Sequence, residues 1–374
     1  MTDQSLPQSD RVEGAPHPRE TSVLYGQQAA ESGFLDAFNA DRLHHGWLIT
    51  GPRGVGKATL AWRIARFLLA TPEADGGGLF GDALPAPDTL DIALEHPVSH
   101  RMLAGSEPGL FHITRGVNEK TGRLRDMIVA DDVRSLNQFM HLSAADGGRR
   151  VVILDTADDM NTQAANALLK MLEEPPAKTT LLLISHQPSR LLPTIRSRCR
   201  ELRLPPLNAA NMAAALEQAG VEPGENADAL AALSGGSVGE AVRLINLGGV
   251  EMYQELIGLF GTLPRLDRSR AINLANAAAT RGAEEKLDLL IGLIDLVMVR
   301  LARTGATGQA PVPEAARGES ETLARLSPNS RQARIWADCA QAIGTRARHG
   351  RSVNLDPASL VLDTVFKIQQ TAAG

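Results

Sequence analysis

The segment of residues 47–59 constrains the fold of this chain more than any other part of the sequence. It begins with a short apolar run, turns through three glycines, and leads into an apolar, helix-like stretch at residues 60–70. A strand, a glycine-rich loop and a helix in this order allow backbone N–H groups to surround a phosphate group. The start of the helix adds positive potential at the same place, and Lys57 adds a mobile positive charge. The segment therefore predicts a phosphate-binding loop.

One residue departs from the usual pattern of such loops, in which a hydroxyl group follows the lysine and ligates magnesium. Ala58 stands at this position, and Thr59 lies about 100° further round the helix. We therefore expect the loop to hold phosphate but to hold the metal poorly. A glycine-rich turn without any ligand is the alternative. The candidate nucleotide-binding residues of this degenerate loop are Gly51, Gly54, Gly56, Lys57 and Thr59.

Composition limits the class of protein. The 374 residues suffice for two or three domains, and a hydrophobic content of 43% is typical of a globular chain. The net charge of −5 gives no overall positive field, so any DNA contact is expected to be local or shared with partners. Only two cysteines are present, which favours a reducing compartment over a disulfide framework. No apolar run reaches the length of a membrane span, about 18 residues, and we expect a cytoplasmic protein.

A second apolar run, Val151 to Leu154, ends in an acid, Asp155. An unbroken apolar run of this length predicts a central parallel strand that is buried on both faces. Parallel sheets carry their chemistry at the carboxyl ends of the strands, so Asp155 joins the candidate nucleotide-binding residues. Asp155 is either a magnesium ligand acting through water or simply the polar end of a buried strand.

The remaining sequence changes character along its length. Residues 1–20 are polar and predict a flexible N-terminal arm, and residues 21–206 hold all the strand candidates, which indicates an α/β domain. Residues 207–248 predict three short helices, and residues 249–374 show only helical patterns. Within the last part, residues 305–320 are rich in Gly, Pro and Ala and suggest a mobile linker.

Four segments together identify a family. They are Gly51–Thr59, Val151–Asp155, the run from Asn166 to Pro176, and the run from Leu191 to Arg200. The first two are common to many nucleotide-binding proteins, whereas the last two, in this order and spacing, are highly specific. The sequence resembles the clamp-loader AAA+ family strongly over residues 21–247 and more weakly beyond them.

The resemblance implies a fold and a set of partners. The implied fold is an α/β AAA+ P-loop domain with a parallel five-stranded sheet and flanking helices, followed by a small helical lid and an all-α collar. The resemblance further implies that the collar joins five subunits into a ring of gamma/tau ATPase subunits, a delta subunit and this chain. The implied task of the ring is to load the sliding clamp on primer-template DNA within the DNA polymerase III holoenzyme. This would make the chain a replisome protein near the nucleoid, without membrane contact.

The motif Ser197-Arg198-Cys199 carries a second implied role. In the resembled family its arginine reaches into the ATP site of a neighbouring subunit and neutralises charge on the γ-phosphate, as an arginine finger does. The candidate catalytic residues in trans are therefore Arg198, Ser197 and Cys199. The alternative is that Arg198 is one of several arginines in a solvated basic segment, residues 190–203.

Three residues depart from the ATP-hydrolysing members of the family. Ala58 removes the magnesium hydroxyl, Thr156 replaces the acid that polarises the attacking water, and Gly239 stands where a lid arginine reaches the γ-phosphate. We therefore predict no useful hydrolysis by this chain and no catalysis of its own. Retention of Lys57 leaves two alternatives, ATP or ADP bound without hydrolysis or no nucleotide at all. No zinc is expected, because residues 71–109 contain no cysteine.

Two other functional classes remain as alternatives. One is an ATP-hydrolysing subunit of the gamma/tau type, which the three departures disfavour. The other is an unrelated AAA+ adaptor that acts on protein substrates, which the two specific segments disfavour.

Overall fold

The apolar runs of the sequence form one sheet of five strands. The computed structural model describes residues 8–71, 86–118, 121–141, 148–222, 224–279, 284–352 and 355–374. The strands are β1 (Gly46–Thr50), β2 (Leu110–Ile113), β3 (Arg150–Leu154), β4 (Thr179–Ser185) and β5 (Arg200–Arg203). Their order across the sheet is β2-β3-β4-β1-β5, and every neighbouring pair is parallel. The predicted parallel five-stranded sheet is confirmed, and β1 and β3 end at the same edge, on either side of β4.

Burial follows position in the sheet. All residues of β1 and β4 are buried, as are the last four of β3, because helices cover both faces of a parallel sheet. The edge strand β5 buries only Leu202. Its Arg200 lies beside Trp47 of β1, with the guanidinium carbon 5.2 Å from the centre of the indole ring.

Seven helices accompany the sheet in the described part of residues 8–220. They are α1 (Gln28–Asn39), α2 (Lys57–Ala70), α3 (Pro97–Leu103), α4 (Ala130–His141), α5 (Thr162–Glu173), α6 (Pro193–Arg196) and α7 (Ala209–Gln218). Helix α5 begins where Asn161 Oδ1 accepts a hydrogen bond from the backbone N–H of Ala164, at 2.8 Å. It buries Leu168 and Leu172 in a core shared with β3, β4 and α4, and two prolines follow its end.

Only helices follow β5 among the described residues. Beyond α7 they are α8 (Ala227–Ser234), α9 (Val238–Leu247), α10 (Gly249–Gly261), α11 (Arg268–Ala278), α12 (Glu284–Thr307), α13 (Glu319–Leu326), α14 (Ser330–Ser352) and α15 (Pro357–Ala373). The expected all-α region after the α/β domain is therefore confirmed. None of the helices in the described ranges has the length and apolar character needed to cross a membrane.

By its internal contacts the chain divides into two units. The first comprises residues 1–220 together with Ser237–Gly239, and the second comprises residues 221–236 and 240–374. The predicted boundaries after residues 20, 206 and 248 stay predictions.

The prediction of a mobile linker at residues 305–320 is wrong at both ends of that range, where the residues are helical. Helix α12 continues through Gly305 to Thr307, and α13 begins at Glu319. The side chain of Glu319 is fully buried, and it accepts hydrogen bonds from Tyr253 Oη at 2.6 Å, Arg300 Nε at 2.6 Å and the backbone N–H of Ala315 at 2.7 Å. A buried carboxylate with a charged partner and two further donors fastens this segment to α10 and α12.

Candidate functional sites

The phosphate loop follows the carboxyl end of β1 and leads directly into α2. Three of its glycines have positive φ, namely Gly51 at 144°, Gly54 at 77° and Gly56 at 98°. At Gly54 a side chain would also collide with Ser237 Oγ, so both conformation and space require glycine there. From the other side, Gln27 Nε2 donates to the carbonyls of Val55 at 3.2 Å and Pro205 at 2.9 Å. The loop therefore has the shape that its sequence predicts.

Lys57 is the first residue of α2 and points back into its own loop. Its Nζ donates to the carbonyl oxygens of Gly51, at 2.7 Å, and Pro52. The residue is only 3% exposed, and this burial lowers the pKa of Lys57 to about 8. The nearby carboxylate of Asp155 acts in the opposite direction and favours the charged form. A phosphate entering the loop would have to take the lysine away from these two carbonyls.

Asp155 follows β3 at the same edge of the sheet as the loop. Its Oδ1 accepts a hydrogen bond from Thr156 Oγ1 at 3.1 Å. Burial raises the pKa of Asp155 to about 6, and the negative charge of Asp10 adds to this effect. The hydrogen bond from Thr156 and the charge of Lys57 lower that pKa by less. The hydroxyl of Thr156 thus donates to the neighbouring carboxylate.

Asp158, a second acidic residue at this edge of the sheet, was not among the residues predicted from the sequence. Asp158 accepts hydrogen bonds from Ser185 Oγ at 2.7 Å and from the backbone N–H groups of His186 and Gln187. It therefore ties the end of β4 to the turn that follows β3. Burial, together with the charges of Lys57 and Arg53, lowers the pKa of His186 to about 4. The only sequence signal for Asp158 is its place in an acidic pair after a buried strand.

Ala58 and Gly239, two of the residues predicted to depart from hydrolysing proteins, also lie beside the loop. Ala58 and Thr59 are the second and third residues of α2, and both are half-buried. Gly239 contacts the loop directly, with its backbone N–H donating to the carbonyl of Gly54 at 3.2 Å. Gly239, a residue of the predicted lid, thus contacts Gly54 through its backbone. Whether Thr59 or the glycines contact a nucleotide stays a prediction.

The N-terminal arm, expected to be flexible, packs closely where the structure describes it. His17 is 4% exposed, and its Nε2 lies 2.9 Å from Asp10 Oδ2. His112 of β2 lies 3.6 Å from the same oxygen, and both imidazoles contact the indole of Trp62 on α2 edge to face. Burial lowers the pKa of His112 to about 4, against the favourable charge of Asp10. Sequence reasoning missed this cluster because its members lie far apart along the chain.

The motif Ser197-Arg198-Cys199 lies immediately after the short helix α6. Ser197 Oγ donates to the carbonyl of Thr194 at 3.1 Å. The guanidinium of Arg198 donates through Nη1 to the same carbonyl at 3.0 Å, and its Nη2 lies 2.9 Å from Glu173 Oε1. The Arg198 side chain is nevertheless 36% exposed, so part of its donor fork faces solvent.

Cys199 and Gly46 explain how the motif is held. A side chain at Gly46 would lie 2.9 Å from Leu172 Cδ2, 3.1 Å from the carbonyl of Arg198 and 3.3 Å from Cys199 Sγ. The missing side chain therefore lets the end of α5, the start of β1 and the motif approach one another. Burial raises the pKa of Cys199 to about 12, so its thiol stays neutral and acts in packing.

The two groups of predicted residues lie at opposite ends of β1. Arg198 and Cys199 adjoin Gly46, the first residue of the strand, whereas the phosphate loop begins after Thr50, its last. A strand rises about 3.3 Å per residue, which puts the two ends roughly 13 Å apart. The structure therefore joins the loop residues with Asp155 and keeps Ser197, Arg198 and Cys199 apart from them. Within the described ranges, no cluster of three or more His, Cys, Asp or Glu side chains could hold a metal ion.

Known proteins that are similar to this chain include subunits of DNA polymerase III. A family model described as "DNA polymerase III, delta subunit" matches residues 26–208. The DNA polymerase III subunit delta' of Pseudomonas aeruginosa is 40% identical over 214 residues, which is 57% of this chain and 59% of that protein. The DNA polymerase III subunit gamma/tau of Mycobacterium bovis is 28% identical over 330 residues, or 79% of this chain and 52% of that protein. The chain thus spans only a little over half the length of these relatives.

Among solved structures, a gamma subunit-related protein from Thermotoga maritima is similar over 91% of this chain, with 16% identity and a TM-score of 0.40. The segments of the sequence most closely resemble the delta-prime subunit of bacterial DNA polymerase III, and the relatives confirm that resemblance. Residues 26–208 of the chain therefore match the family described as "DNA polymerase III, delta subunit".

Proposed function

We propose that this chain is the delta-prime subunit of a DNA polymerase III clamp loader. It helps assemble the loader ring and supplies Arg198 to the ATP site of a neighbouring gamma/tau subunit. The observation that carries this proposal is the place of Arg198, partly exposed at the far end of β1 from the chain's own phosphate loop. A guanidinium in this position lies away from the chain's own loop and, being partly exposed, can reach another subunit's phosphate.

The chain's own site supports the non-hydrolysing part of the proposal. Ala58 offers no hydroxyl for magnesium, Thr156 offers no carboxylate for the attacking water, and Gly239 offers no lid arginine. Phosphate transfer depends on metal, positioning groups and charge neutralisation acting together. Loss of three such parts at one site is expected to abolish useful turnover, because the parts act as a unit.

Nucleotide binding without hydrolysis is part of the same proposal. The three glycines with positive φ and Lys57 keep the shape and charge of a phosphate loop. Titration of the isolated chain with a fluorescent ATP analogue tests this point. A saturable signal that Lys57→Ala removes would support ATP or ADP as a ligand, and no signal at millimolar nucleotide would contradict it.

The proposed partners are gamma/tau and delta subunits in a heteropentamer, and the sliding clamp and primer-template DNA through that complex. Within the chain, we propose residues 207–248 as the lid and residues 249–374 as the collar. The proposed location is the replisome at the nucleoid.

The decisive experiment measures steady-state ATP hydrolysis by a reconstituted gamma/tau, delta and delta-prime complex with clamp and primed DNA. Arg198→Ala is expected to slow turnover at the neighbouring site about 10³-fold, as loss of an arginine finger does. Lys57→Ala in the same chain is expected to have little effect. The reverse pattern would instead support a gamma/tau-type ATPase, the second candidate, which the similarity over 79% of the chain favours.

A further inference from the structure

We propose that Glu173 is a positioning residue for Arg198, which sets the direction of its guanidinium before the neighbouring subunit binds. This inference rests on the proposed trans role of Arg198. Glu173 is the last residue of α5 and lies in a segment far from the motif along the chain. Its Oε1 is 2.9 Å from Arg198 Nη2.

The contact between Glu173 and Arg198 restrains the orientation of the guanidinium. Glu173 holds Nη2 from the end of α5, while the carbonyl of Thr194 in α6 accepts from Nη1 at 3.0 Å. Two acceptors on different elements thus restrain one rigid, planar group. An arginine side chain carries substantial rotational freedom, and a fork that is already oriented loses less of it when a phosphate binds.

The elements that carry these acceptors are themselves held firmly together. His45 Nε2 donates to the carbonyl of Leu172 at 3.0 Å, which fixes the last turn of α5 against the start of β1. Gly46 has no side chain, and the resulting notch lets Leu172, Cys199 and the backbone of Arg198 come close together. The carboxylate of Glu173 therefore sits on the same support as the arginine that it orients.

The pair also leaves room for a third partner. The side chains of Arg198 and Glu173 are 36% and 48% exposed, so the remaining N–H groups of the guanidinium can reach a phosphate outside this chain. Because both side chains are partly solvated, the ion pair is a modest restraint rather than a strong lock. We therefore expect a moderate effect on the chemical step and not a loss of folding.

The test uses the complete reconstituted complex with clamp and primed DNA, and measures kcat and KM for ATP hydrolysis. Glu173→Ala is expected to lower kcat about two- to fivefold with KM nearly unchanged, which is the range of effect expected from loss of a partly exposed ion pair. Glu173→Gln, which keeps an acceptor oxygen, is expected to lose less. The double variant Glu173→Ala with Arg198→Ala is expected to match Arg198→Ala alone, because Glu173 acts only through the arginine.

Glu174→Ala is the matched control. It removes a negative charge from the next residue along the chain and leaves the pair between Arg198 and Glu173 in place. Thermal unfolding of the isolated variants checks that the fold is kept. If Arg198→Ala slows turnover but Glu173→Ala leaves kcat unchanged or raises it, the positioning role is wrong and the proposed function stands. If Arg198→Ala itself has no effect, the proposed function fails first and the positioning role fails with it.

Discussion

Lys57 and Arg198, the cations of the two candidate sites, differ in their exposure and in the groups that they contact. Lys57 is almost fully buried and donates to two carbonyls of its own loop, and its pKa is lowered by that burial. Arg198 is partly exposed, and its guanidinium contacts the carboxylate of Glu173, the carbonyl of Thr194 and solvent. An arginine remains charged whatever its surroundings, whereas a buried lysine loses part of its charge. The comparison shows an inward cation that is bonded to its own loop and an outward cation that is partly open to solvent.

The largest stability effect is expected at the notch that supports the outward site. Gly46→Ala places a methyl group within 2.9 Å of Leu172 Cδ2 and 3.1 Å of the Arg198 carbonyl, so α5 and the motif must move apart. Overpacking of this kind is expected to cost about 2–3 kcal/mol of unfolding free energy, measured by urea denaturation. Gly33→Ala in α1 is the control, because its nearest neighbour would lie 3.8 Å away and alanine favours helix. Equal stability of the two variants would show that the notch does not hold the motif.

A smaller effect is expected at the inward site, at Asp155. The pKa of Asp155 is raised in the folded chain to about 6, so the folded state binds the proton more tightly than the unfolded state. The stability linked to this proton is fully present below about pH 4 and is lost as the pH rises through about 6. Asp155→Asn is therefore expected to raise stability at pH 7–8 by about 1–2 kcal/mol and to flatten this part of the pH profile. This is less than the limit of about 3 kcal/mol that a shift of about two pKa units sets, because Asp155 is partly exposed to solvent. Parallel profiles for the variant and the parent chain would contradict the buried-charge account.

The smallest effect is expected at the N-terminal arm. Asp10→Asn weakens the contacts with His17 and His112 and removes a negative charge that raises the pKa of Asp155. A loss of about 1 kcal/mol is expected from the weakened hydrogen bond. NMR titration of Asp155 should show a lower pKa in this variant. Asp36→Asn on the exposed side of α1 is the control, and the same response from both variants would mean that the arm does not reach the inward site.

Much of the fold could be predicted because its signals are local. The unbroken apolar runs of β3 and β4, the cap at Asn161 and the prolines after α5 each specify an element within a few residues of themselves. The phosphate loop is equally local, because its glycines and Lys57 lie in one short segment. The prediction of a mobile linker failed because it used local composition alone. Glycine and proline at residues 305–320 suggested mobility, but the buried Glu319 is held by Tyr253 and Arg300 from distant helices.

The sequence by itself determined the parallel sheet, the helical C-terminal region, the phosphate loop with its missing hydroxyl, and the Ser197-Arg198-Cys199 motif. Only the tertiary structure decided which residues surround them: Glu173 beside Arg198, Asp158 beside Ser185, and Asp10 between His17 and His112. The physical reason is the distance along the chain between the residues that interact. Backbone conformation and periodic burial follow from neighbouring residues, whereas the partner of a polar side chain is chosen by packing between elements far apart in the chain.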